Sequence, residues 1–63
     1  MNPLEEEARE LLTANDIADY LGISVRTVYW WRSKGLGPQG IRIGRHLRFR
    51  MSDFLEWLDE KTA

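Results

Sequence analysis

Seven cationic side chains and no carboxylate lie between Ile23 and Arg50: Arg26, Arg32, Lys34, Arg42, Arg45, Arg48 and Arg50. Six of the seven are arginine, whose planar fork of N–H donors matches a phosphate or the major-groove edge of guanine. All ten carboxylates fall outside this window, six before it and four after it. The formal charge is −5 over residues 1–22, +7 over residues 23–50 and −3 over residues 51–63, within a chain whose net charge is only −1. A partner meets the local field of one surface and not the chain average. The partition therefore points to a polyanion, and to duplex DNA in particular, as the partner of the central window.

Other chemistries find little support. His46 is the only histidine and there is no cysteine, so neither a metal site nor a thiol nucleophile can be assembled, and no cofactor is expected. Asp16 with Asp19, and Glu56 with Glu60, read as solvated helix faces and not as a converging acid–base pair, so no enzymatic centre is expected. The acidic start, MNPLEEEARELL, carries the wrong charge for a signal or transit peptide. No apolar run approaches the roughly 20 residues that cross a bilayer. The expectation is a cytoplasmic protein with no membrane partner. At 63 residues there is room for one small core, built from aromatics and branched aliphatics.

The elements that must position the cations can be read from caps and periodicity. Residues 2–12 form an acidic segment with Asn2 and Pro3 at its start, and its thin apolar stripe predicts a short or frayed helix. Residues 13–61 form the domain proper. Thr13 caps a helix over residues 14–21, with Asp16 completing a capping box and Ile17, Ala18 and Leu21 facing inward. Gly22 ends it, and Ile23 plugs the turn. Ser24 caps the next helix, Val25 to about Lys34, with Val25, Val28 and Trp31 inward and Gly35 as its stop. The period then changes to two: Ile41, Ile43, Leu47 and Phe49 alternate with Arg42, Arg48 and Arg50. A three-residue loop, Gly44-Arg45-His46, pairs Ile43 with Leu47 and Ile41 with Phe49. It puts all four on the core and the arginines away from it. Ser52 caps a third helix with Phe54, Leu55, Trp57 and Leu58 as its apolar face. The fold class is α+β, mostly α: a small winged helix-turn-helix with a two-stranded wing.

This layout assigns candidate DNA contacts. The second helix suits the major groove, with Arg26 able to pair with guanine and Thr27 with a thymine methyl or a phosphate. Ser24 and the free N–H groups of the first turn are phosphate donors. Tyr29, Trp30, Arg32 and Lys34 lie outward or lateral. Trp30 has two readings, packing under the wing or touching DNA through its indole N–H. Arg42, Arg45, His46, Arg48 and Arg50 form the wing's contribution. Four arginines and no lysine in the hairpin favour phosphate geometry over simple solubility.

The stretch LTANDIADYLGISVRTVYWW, then GLGP, IRIGRHLRFR and SDFLEWL, resembles the excisionase-type winged helix-turn-helix domains, relatives of the MerR DNA-binding domain. The likeness covers about residues 12–58, and it rests on SVRTVYxW combined with RIGRHxRF. It implies a second helix in the major groove, carried by Arg26, Thr27 and Tyr29, and a wing on flanking backbone, carried by Arg45, His46 and Arg48. Trp30 departs from the polar or basic residue common at that place. No dimerisation helix or effector domain follows, so the resemblance implies a stand-alone module of the phage and plasmid excisionase kind. Such a module binds neighbouring sites beside a tyrosine integrase and bends the DNA. The charge layout adds that the acidic flanks, residues 4–10 and 53–60, can meet the basic wing of a neighbour, so monomers are expected to associate head to tail on tandem sites of an attachment region. A small AlpA-like or MerR-like transcriptional regulator uses the same fold, and a protein adaptor with acidic flanks is the reading that needs no DNA.

Overall fold

A computed structural model describes residues 11–62. The elements in chain order are β1 (Leu11–Leu12), α1 (Ala14–Leu21), α2 (Val25–Ser33), β2 (Ile41–Ile43), β3 (His46–Arg50) and α3 (Met51–Thr62). The three strands form one antiparallel sheet in the order β1-β3-β2.

Thr13 starts α1 with a complete capping box. Its hydroxyl accepts from the Asp16 N–H at 3.0 Å, and the Asp16 carboxylate accepts from the Thr13 N–H at 2.9 Å. Gly22, left-handed at φ 69°, closes the helix. The Ile23 N–H then donates to the Ala18 carbonyl at 3.0 Å, which turns the chain sharply into α2. Ile17 and Ala18 on α1 meet Val28 on α2, and the core is completed by Ala14, Leu47, Phe49 and Phe54. Phe49, Phe54, Ile17 and Val28 are fully buried, each contributing about 1.5–3 kcal/mol by burial. Aromatic contacts extend this core along α3. Phe54 lies edge-on to Tyr20 at 5.4 Å, and Trp57 meets Trp31 at 5.3 Å.

Three sequence expectations are corrected. First, Leu11 and Leu12 are not the tail of a helix. They pair as a strand with Arg50 and Phe49, because Leu12 gains a place on the core beside Phe49. Residues 2–10 of that expected helix lie outside the described residues. Second, α3 begins at Met51 and not after a cap at Ser52. The chain passes from β3 into the helix without a turn, and this lets Met51 pack on the core one turn before Phe54. Leu55, rotated away from that stripe, stays 44% exposed.

The third correction concerns the wing. The turn has two residues, Gly44 and Arg45, and the register is Ile43 to His46, Arg42 to Leu47 and Ile41 to Arg48. Gly44 has φ 61° and Arg45 has a negative φ, the pattern of a type II′ turn, which takes glycine first and matches the right-handed strand twist. Cross-strand partners share a face. Arg42 thus lies on the side of buried Leu47, while Ile41 and Ile43 lie outward with Arg48 and His46. The core side opposite Phe49 is left to Gly40, where a methyl group would stand 3.0 Å from Leu47 Cδ1 and 3.1 Å from Phe49 Cε2.

This register predicts that Gly40→Ala destabilises the domain by about 1–3 kcal/mol through overpacking. In the three-residue-loop register Gly40 would face outward, and the same change would be neutral or stabilising. Phe49→Ala should cost about 3–5 kcal/mol, and Trp30→Ala should stay within about 0.5 kcal/mol of the parent protein. Urea unfolding of the three variants reads all of these.

Candidate nucleic-acid interface

Ser24 begins α2, and its hydroxyl accepts from the Arg26 N–H at 3.2 Å. Val28, 2% exposed, fixes the inward face, with half-buried Val25 and Trp31 packed against the core on either side. At 100° per residue this geometry turns Arg26, Trp30 and Ser33 to the opposite side and sets Thr27 and Tyr29 on the flanks. The burial agrees: Arg26 is exposed, Thr27 is half-buried, and Tyr29 and Trp30 are 53% and 54% exposed. With about half of its surface exposed, Trp30 is not buried beneath the wing. Two exposed aromatics beside an arginine make an outward face able to offer both apolar contact and hydrogen bonding.

Arg32 and Lys34 belong to the end of the helix. Arg32 is exposed, but one guanidinium nitrogen stands 3.4 Å from where a Gly40 methyl would lie, so this side chain runs along the junction between α2 and the wing. Lys34 is the C-cap residue, its N–H shared by the Trp30 and Trp31 carbonyls at 3.1 and 3.0 Å. Both charges also suit the negative end of the α2 dipole.

The wing does not gather its cations on one side. Arg45 is exposed in the turn, and His46 is exposed opposite Ile43. Arg42 is exposed on the side of Leu47, contrary to its expected outward direction. Arg48 is half-buried, and its guanidinium donates to the Leu47 carbonyl at 2.8 Å. That bond occupies one of its five N–H donors. Arg50 is exposed at the end of β3, opposite Leu11. Sequence reasoning missed the outward isoleucines, because the turn type was the only signal for them.

It also missed a groove. Asp53, Glu56, Trp57 and Glu60 on α3 and Gly37 and Gln39 on the preceding loop line a depression of about 220 Å³. The carboxylates recur at i, i+3 and i+7, which the sequence displays only as a wet helix face. Cations are therefore concentrated on α2 and the wing, the basic part of the domain, and carboxylates on the α3 groove.

A short helix pair with a tight glycine turn, an outward aromatic–arginine face on the second helix and a basic antiparallel wing define a small winged helix-turn-helix module. The chain matches the family model described as helix-turn-helix domain over residues 11–62, and it belongs to that family. No curated protein matches it. Membership makes it a sequence-specific module for double-stranded DNA. Among the described residues, no helix is long and apolar enough to cross a membrane.

If about four to six cations of the basic part meet phosphates, log K should fall with log salt at a slope of roughly −4 to −5. Fluorescence anisotropy on a labelled duplex across a salt series measures it. A slope near zero would remove the electrostatic basis of this surface.

Proposed function

We propose that this chain is an excisionase, a recombination directionality factor that binds and bends attachment-region DNA and turns a tyrosine integrase toward prophage excision in a bacterial cytoplasm. The observation that carries the reading is the segregation of charge, with cations on α2 and the wing and carboxylates in the α3 groove. One winged module covers few base pairs and is poorly selective alone. A basic wing and a separate acidic groove on α3 suit copies arranged head to tail on adjacent repeats. That contact is heterologous, so it extends along the duplex and does not close into a dimer. The resemblance of the helix and wing motifs to excisionase-type domains supports the same conclusion.

In this reading α2 enters the major groove. Arg26 pairs with a guanine, Thr27 and Tyr29 meet neighbouring bases or phosphates, and Trp30 supplies an aromatic contact in place of a charge. Ser24 and the first-turn N–H groups hold a phosphate. Arg32, Lys34, Arg42 and Arg50 neutralise flanking backbone, and Arg45, His46 and Arg48 bring the wing to the adjacent groove.

Footprinting on an attachment region and an excision assay with the integrase test the function together. The expected result is a monomer in solution that protects tandem direct repeats cooperatively and raises excision. A stable dimer on one inverted repeat, with excision unchanged, would favour the AlpA-like or MerR-like regulator instead. On the best single site, Arg26→Ala should cost about 1–3 kcal/mol and relax sequence preference. Arg45→Ala should weaken good and poor sites alike. Identical specificity profiles for the two variants would contradict the placement of α2 in the groove.

A further inference from the structure

The outward side of the wing carries more than charge. Ile43 is paired with His46 across the two-residue turn and keeps 51% of its surface exposed. It points away from the side that buries Leu47 and Phe49. A lone exposed isoleucine means little on most surfaces. This one is the only aliphatic side chain at a projecting tip whose other side chains are Arg42, Arg45 and His46. The strand that carries it lies at the sheet edge, paired with β3 alone. An edge hairpin charged only for solubility has no use for an aliphatic residue there.

The sequence cation, aliphatic, glycine, cation, imidazole matches one surface closely. A DNA minor groove is about 6 Å wide, with a phosphate row along each rim and apolar deoxyribose faces along its walls. Paired strands are spaced about 4.8 Å between backbones, so the whole wing is too thick to lie in that groove and only its tip can enter. Gly44, with open space about its Cα and no side chain, makes the leading edge slim. Behind it, Arg45 and Arg42 flank the tip within reach of the phosphates, and Ile43, on the outward face of the hairpin, meets the deoxyribose wall of the groove.

We infer that the wing tip enters the minor groove with Ile43 as an apolar wedge that widens the groove and bends the duplex. This rests on the reading above that the wing lies on DNA, and it assigns the bending to one side chain. Widening is cheapest at flexible TA steps and dearest at stiff A-tracts. The wedge therefore makes Ile43 a source of sequence preference with no hydrogen bond to a base.

The test uses single-site duplexes selected by the parent protein from a random pool, with the step under the wing changed between TA and AA. Bend angle is read by energy transfer between end labels, and affinity by anisotropy. The parent protein should bend the duplex and prefer the TA version by about fivefold. Ile43→Ala should keep the salt slope and the melting temperature, reduce the bend, and lose most of that preference. Ile43→Met, apolar and flexible, should restore much of both. An unchanged bend and preference in Ile43→Ala would overturn the proposal while leaving DNA binding intact. So would a variant that bends one site normally but loses cooperativity on two, since Ile43 would then face a second copy. Failure of the parent protein to bind any duplex at low salt would overturn the wing-on-DNA reading itself.

Discussion

The burial of Phe49 couples the two halves of this domain. Phe49 is 1% exposed on β3, the strand that pairs with both β1 and β2 and runs directly into α3. A strand alternates its side chains between faces. Once Phe49 and Leu47 are committed to the helical core, His46, Arg48 and Arg50 are committed to the other face. The type II′ turn carries the same constraint to β2, where it sends Ile41 and Ile43 outward. What the wing offers to a partner is therefore decided by what the core takes from it.

The helix pair obeys the same rule. Val28 and Ile17 are locked together by the turn at Gly22, and the caps at Thr13 and Ser24 fix where each helix begins. Burying Val28 leaves Arg26, Tyr29 and Trp30 outside. Because α2 and β3 share one core, the outward face of the helix and the tip of the wing hold a fixed relation. This is what a module needs in order to read a groove and touch its flank at once. Among the described residues, the carboxylates have other places. Asp16 is consumed in a capping box, and Asp53, Glu56 and Glu60 line the groove on α3.

The helix-turn-helix was legible because its signals are local: a capping box, a glycine C-cap and a three-four apolar spacing fall within residues 13–31. The wing existed in the pattern, but its register did not. Ile-Arg-Ile and Leu-Arg-Phe alternate equally well in two registers, and only the preference of a type II′ turn for glycine at its first position separates them. Leu11–Leu12 is too short to show any period, and its pairing depends on β3, 38 or so residues away, so a helical continuation was the natural local reading. The start of α3 was displaced by packing: the gain from Met51 on the core outweighed a good cap at Ser52. Most candidate contacts on α2 were legible, since the inward residues define the outward ones. Trp30 needed the structure, because two adjacent tryptophans give no local hint of which one is buried.

A titration followed by amide chemical shifts most directly tests whether α2 and the wing form one DNA-binding surface. The labelled protein is mixed with a single-site duplex, so that contacts between copies play no part. The largest shifts should fall on residues 24–30 and 43–46, with residues 53–60 of α3 nearly unmoved. Shifts concentrated on α3, with α2 and the wing tip unaffected, would contradict the assignment of the basic part as the DNA-binding face.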